Sequence, residues 1–330
     1  MSPLSQAAAV PAEVPAPPLE VRGLTKRFGD VVAVDGLDFT VRPGTVTGFL
    51  GPNGAGKTTT LRMLVGLVAP SAGQALVEGV RYSELADPVR TVGAVLEAAG
   101  FHPARTARHH LRTVARAAGI AGARVAEVLD MVGLADAADR RVGGFSLGMR
   151  QRLQLAEALL GDPRILVLDE PSNGLDPQGI AWMRGFLRWF ASQGRAVLVS
   201  SHLLAEASQT VDEVVVLAHG RLVGQGPLDR LLAGVRGSVR VRTPDAAALL
   251  GALGAAGIDA REESPGLVVA EGAGPEVVGP IMADHRIVVY EMSSSGESLE
   301  HLFFAMTEGT VPAPPPGASR VPAAPPGPEP

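Results

Sequence analysis

The run Gly51-Pro52-Asn53-Gly54-Ala55-Gly56-Lys57-Thr58 gathers residue types suited to holding a phosphate. Glycines let main-chain N–H groups face an anion with no Cβ in the way. Lys57 offers a compact positive charge that reaches the outer phosphates, and the Thr58 hydroxyl offers an oxygen ligand to Mg²⁺. The order G-x-x-x-x-G-K-[ST] is that of a phosphate-binding loop between a strand and a helix. A helix beginning here, with Thr59 in its first turn, adds unpaired N–H groups and the positive end of its dipole. The chain has 29 Lys plus Arg, yet only Lys26 and Lys57 are lysines. One of the two falls in this frame, where an arginine is not an equivalent replacement.

Two further runs narrow the chemistry. Ile165-Leu-Val-Leu-Asp-Glu170 reads as a buried strand ending in two acids. Asp169 is placed to hold Mg²⁺ through its water shell, and Glu170, one residue on, to polarise an attacking water as general base. An acid pair at a strand end is also an ordinary cap, so this run alone does not decide. Phe145-Ser-Leu-Gly-Met-Arg-Gln-Arg152 stands just before it, with Ser146 suited to start a helix.

That last run resembles the signature motif of ABC ATPases, usually written L-S-G-G-Q. With the phosphate loop and the acid pair, the chain from about Leu19 to Leu231 is identified as a member of that family. The resemblance carries over to other positions. Pro171-Ser-Asn-Gly-Leu-Asp176-Pro matches the D-loop, whose Asp176 lies at a dimer seam. His202, in Val-Ser-Ser-His, matches the switch histidine that meets the γ-phosphate. Phe28 matches the aromatic that stacks on adenine. The Q-loop position holds Glu97 rather than glutamine, which keeps a possible Mg²⁺ ligand but adds negative charge. That glutamate and the S-L-G-M-R-Q spelling are similar to the daunorubicin- and bacitracin-type exporter ATPases.

The resemblance implies a head-to-tail pair of copies with Mg²⁺ and ATP. Each ATP is expected between Gly51–Thr59 of one copy and Ser146, Gly148, Gln151 and Asp176 of the other. It implies a separate ABC-2-type permease, with the helical region 98–144 facing it and Phe101 and His102 as contacts. The chain is then a peripheral ATPase on the cytoplasmic face of the membrane, powering multidrug- or antibiotic-type export. Two alternatives stay open: a soluble ABC-type ATPase not coupled to transport, and a nucleotide-binding module that does not turn over.

The elements that must position these residues follow from periodicity. Strands are expected at 19–24, 37–41, 45–50, 92–96, 165–168, 196–200 and 213–218, and helices at 57–65, 107–132, 146–160, 179–193 and 203–209. Such alternation argues for an α/β fold with a mostly parallel sheet covered on both faces. The family adds an antiparallel β subdomain and a helical subdomain at about 98–160. After about Leu231 the pattern changes. Strands at 238–243, 266–270 and 286–292 alternate with helices at 245–256, 275–283 and 298–307, a small α+β accessory domain over 232–310. Residues 1–18 and 311–330 are Ala- and Pro-rich and are expected to be disordered.

Composition excludes several classes. Net charge is −5 with no long basic run, which argues against nucleic acid as a partner. Cysteine is absent, so disulfides and thiolate metal sites are excluded. No apolar run approaches the ~18 residues of a membrane span, and the first residues lack the order of a secretory leader. His102, His109 and His110 lie close in sequence, but without acids or cysteines at ligand spacing they read as a solvated helix face.

Overall fold

The computed structural model describes residues 16–96, 100–202, 207–233 and 238–295. Strands β1 (Leu19–Phe28) and β2 (Val31–Val41) form a hairpin across Gly29 and Asp30, with Phe28 opposite Val31. Strand β3 (Val46–Leu50) is buried at every residue, as a strand covered on both faces must be. Helix α1 (Lys57–Leu64) follows the run Gly51–Gly56. Next come β4 (Ala72–Val77), the one-turn helix α2 (Pro88–Thr91) and β5 (Val92–Val95). Three helices then fall within the expected helical region: α3 (Ala107–Ala117), α4 (Arg124–Met131) and α5 (Leu147–Ala158). They lead to β6 (Ile165–Asp169), α6 (Pro177–Ser192), β7 (Ala196–Ser201), β8 (Glu213–Ala218), β9 (Arg221–Pro227) and α7 (Leu228–Ala233).

The main sheet has six strands in the order β5-β6-β7-β3-β8-β9. All neighbours pair in parallel except β9, which runs antiparallel at one edge. Because side chains alternate along a strand, each strand feeds two cores. Leu166, Leu168, Val197 and Val199 pack with the helices α3 to α6. Ile165, Val167, Ala196 and Leu198 pack with α1 and with a three-stranded antiparallel sheet of order β2-β1-β4. The α/β class with a mostly parallel sheet and an antiparallel companion is therefore as the sequence predicts.

Several expectations need correction. The single helix predicted over 107–132 is two. Gly119 takes φ 67° just past α3, a left-handed helix end that glycine adopts without Cβ strain. Strands β4 and β9 and helix α7 were not anticipated. β4 begins with three exposed residues, and β9 contains two glycines and a proline, so neither shows an apolar period. Residues 1–15 of the lead-in expected at 1–18, residues 203–206 of the helix expected at 203–209, Glu97, the helix expected at 298–307 and the tail at 311–330 lie outside the described residues.

The last strands form a separate antiparallel sheet of order β11-β12-β10-β13. Its elements are β10 (Ser238–Arg242), α8 (Ala246–Ala255), β11 (Asp259–Ser264), β12 (Leu267–Glu271), α9 (Pro275–Asp284) and β13 (Glu291–Ser295). Val239, Val241, Leu249, Leu253, Val268 and Val278 make its core. Strand β11 was missed because its sequence, Asp-Ala-Arg-Glu-Glu-Ser, is charged edge strand. The strand predicted at 286–292 begins only at Glu291. Arg286 takes φ 56° as α9 ends, and Val288 to Tyr290 are exposed rather than paired into a core.

Candidate functional site

Strands β3, β6 and β7 end at one level: Leu50 pairs with Ser201, and Asp169 with Ser200. Their carboxyl ends therefore bring three sequence-distant runs to one crevice, the usual ligand position in an open α/β sheet. Gly56 caps α1 with φ 97°, and a Cβ there would lie 2.5 Å from the Ala33 carbonyl oxygen, so only glycine fits. No side chain caps α1 and no acid occupies its first turn, which leaves the N–H groups directed at an incoming anion.

A 420 Å³ cavity is lined by Phe28, Ala33, Pro52, Asn53, Gly54, Ala55, Gly56, Lys57, Thr58, Thr59 and Glu170. Phe28 is 52% exposed, so its ring is presented at the rim rather than buried in the core. Lys57 is only 6% exposed. Its Nζ donates to the carbonyls of Gly51 at 2.7 Å and Pro52 at 3.3 Å, and lies 3.6 Å from Glu170 Oε1.

The acids are held by hydroxyls. Thr58 Oγ1 donates to Asp169 Oδ2 at 2.6 Å, and Ser200 Oγ donates to Asp169 Oδ1 at 2.5 Å. The Glu170 N–H donates to the same Ser200 Oγ at 2.9 Å. Glu170 takes φ 50°, a conformation costing about 1–3 kcal/mol that recurs at functional sites. Its Oε2 lies 2.7 Å from His202 Nδ1, so the two expected catalytic side chains are in direct contact. Ser200 is the residue that sequence reasoning missed. The signal was a hydroxyl directly after the apolar run Ala196–Val199, at a fully buried position.

The signature residues stand apart. Ser146 caps α5, its Oγ accepting from the Met149 N–H at 3.2 Å. Asp176 caps α6, its Oδ1 accepting from the Gly179 N–H at 2.8 Å. Ser146, Gly148 and Asp176 line a 480 Å³ cavity with Met149, Arg152 and Gln178, and share no residue with the cavity of the phosphate loop. Gln151 joins neither. Five positions past Ser146, it has rotated to another face of α5. Its Nε2 donates to the Asn173 carbonyl at 2.7 Å, while its Oε1 is buried without a hydrogen-bond partner among the described residues. Leu175 packs against Gly148, and the Arg152 guanidinium lies 4.3 Å over the Trp182 ring, so α5 is joined both to the loop before α6 and to α6 itself.

One of the three histidines departs from expectation. His110 is not on a solvated face: its Nε2 meets Glu157 Oε2 at 2.9 Å, and Phe101 packs edge-on to its ring at 4.9 Å. His102 and His109 are exposed. Among the described residues no cluster of three His, Cys, Asp or Glu is arranged to hold a metal. The Thr58–Asp169 pair nevertheless fits Mg²⁺, a hard cation that takes one or two protein oxygens and keeps several waters. No described helix is long and apolar enough to cross a membrane.

Compared with known proteins, residues 34–173 match the ABC transporter family and residues 237–300 match a domain of unknown function. The bacitracin transport ATP-binding protein BcrA of Bacillus licheniformis is 43% identical over 216 residues, 64% of this chain and 71% of that protein. A Nod factor export ATP-binding protein I of Burkholderia lata is 40% identical over 243 residues, 72% of this chain and 80% of the relative. Among solved structures, an ATP-binding subunit of an ABC transporter superposes with TM-score 0.59 at 29% identity, covering 65% of this chain and 92% of the other.

Proposed function

Because the chain belongs to the ABC transporter ATP-binding family, we propose that it is the ATP-hydrolysing subunit of an exporter, driving a separate membrane permease. The observation that carries this reading is the convergence of Lys57, Thr58, Asp169, Glu170 and His202 at the ends of β3, β6 and β7. The reading treats residues 19–231 as the ATPase unit and 232–310 as an accessory domain. The relatives named for bacitracin and Nod factor export support export as the direction. The protein then lies peripherally on the cytoplasmic face, its helices α3 to α5 and Phe101 toward an ABC-2-type permease.

The side chains divide the work. ATP phosphates lie against the α1 N-terminus, with Lys57 turning from the Gly51 and Pro52 carbonyls to the γ-phosphate. Thr58 and Asp169 would hold Mg²⁺, with Glu97, at the Q-loop position, as a further ligand. The metal, when bound, neutralises charge on the transferring phosphate. As Lys57 leaves Glu170, Oε1 becomes available to take a proton from the attacking water. His202 meanwhile fixes the carboxylate through Oε2. Phe28 offers its exposed ring to the adenine. The separate cavity of Ser146, Gly148 and Asp176 supports a head-to-tail pair, in which that surface closes over the partner copy's ATP.

Replacing Glu170 with Gln tests the assignment. Turnover is expected to fall by ~10²–10⁴, about 3–5 kcal/mol in the barrier, with ATP binding retained. Phosphate release and fluorescent-nucleotide binding by the purified chain measure both. Normal turnover in this variant would remove Glu170 from the base role.

A further inference from the structure

Ser200 lies in β7, a strand buried from Ala196 to Ser200, and the parallel register sets it directly beside Asp169. It is fully enclosed. One hydroxyl does two things there. It donates to Asp169 Oδ1 at 2.5 Å and accepts from the Glu170 N–H at 2.9 Å. The other Asp169 oxygen accepts from Thr58 at 2.6 Å. The carboxylate is thus gripped by two hydroxyls at charge-assisted lengths, which fixes its rotation. The Glu170 N–H belongs to the residue with φ 50°, so the same hydroxyl anchors the chain where it enters the left-handed region.

We propose that Ser200 is a positioning residue for ATP hydrolysis. Through a single oxygen it orients Asp169 toward the metal and holds the backbone of Glu170, and so sets the separation of the metal-holding and proton-accepting carboxylates. The proposal rests on the roles given above to Asp169 and Glu170. An alanine at this position strips Asp169 Oδ1 and the Glu170 N–H of their shared partner in a buried setting. Threonine keeps a hydroxyl able to donate and accept together.

The test uses the full-length chain with Ser200→Ala, Ser200→Thr and Glu170→Gln. Ser200→Ala is expected to lower kcat about 10–100-fold while KM for ATP moves less than about 3-fold. A second readout needs no turnover. In the Glu170→Gln background, the gain in fluorescent ATP-analogue affinity on adding Mg²⁺ is expected to shrink about 5-fold or more with Ser200→Ala. Ser200→Thr restores most of both quantities. The proposal is overturned if Ser200→Ala keeps normal kcat and the normal Mg²⁺ gain. It is equally overturned if kcat falls while the Mg²⁺ gain is unchanged and Ser200→Thr is no better, since that pattern marks a packing role. Glu170→Gln separates the two layers: normal turnover there refutes the reading of the acids, whereas an inactive Glu170→Gln beside a normal Ser200→Ala refutes only the role of Ser200. Should Ser200→Ala not fold, Ser200→Cys, which keeps the volume but makes only weak hydrogen bonds, carries the same expectations.

Discussion

At the scale of single residues, the strongest local chemistry was legible because it is contiguous. The proposed phosphate loop lies wholly within Gly51 to Thr58, so the spelling nearly contains it. Ser200 was not legible in the same way, since its meaning arises only when β7 lies parallel to β6 in one register. A structural acid offers a simpler test. Asp162 accepts hydrogen bonds from Arg195 at 2.8 Å and from Arg124 at 3.2 Å. The bond from Arg195, aided by both positive charges, holds its carboxyl below the ordinary 3.8, against the opposing effect of partial burial. A lowered native value means that the unfolded chain binds protons first. The contribution is therefore present above 3.8 and lost as pH falls through the lower native value. Asp162→Asn is expected to flatten the decline in urea midpoint on acidification, compared at about pH 7 and about pH 3. The change is small, because the side chain is largely exposed. An unchanged slope would show that the arginines do not bias its titration.

At the scale of elements, periodicity found those strands and helices that bury a continuous face. It failed where pairing alone makes the element, as in β9, whose glycines and proline read as turn until β8 lies beside them. It also misjudged direction around a helix. Ser146 and Gln151 belong to one motif in sequence, yet α5 turns them to different surroundings. The contact between Gln151 and the Asn173 carbonyl ties α5 to the loop that follows Glu170. Gln151→Leu removes that bond and leaves a carbonyl unpaired, at a cost of about 1 kcal/mol to stability. Because the loop leads directly from Glu170 to α6, kcat is expected to drop several-fold with little change in KM. Urea unfolding together with steady-state ATPase kinetics checks both. Loss of stability with unchanged kcat would reduce this contact to simple packing.

For the whole molecule, two cavities lined by different residues of one chain do not meet. The phosphate loop opens beside Glu170, and the signature surface opens beside Asp176, in separate cavities. If a pair of copies completes each site, defects in the two halves can complement. Lys57→Ala and Ser146→Arg chains, each inactive alone, are expected to recover up to about half the activity per mixed pair, because one of its two sites regains both intact halves. Mixing purified variants and measuring phosphate release tests this, and no recovery at any ratio would argue against shared sites. The packing of α5 on α6 has a further property. Both tryptophans of the chain, Trp182 and Trp189, ride on α6. Trp182 lies beneath the guanidinium of Arg152 from α5, and Trp189 faces water. The protein therefore carries an intrinsic fluorophore where α5 meets α6 and a second, half-exposed indole as reference, so relative movement there is open to optical measurement without an attached dye.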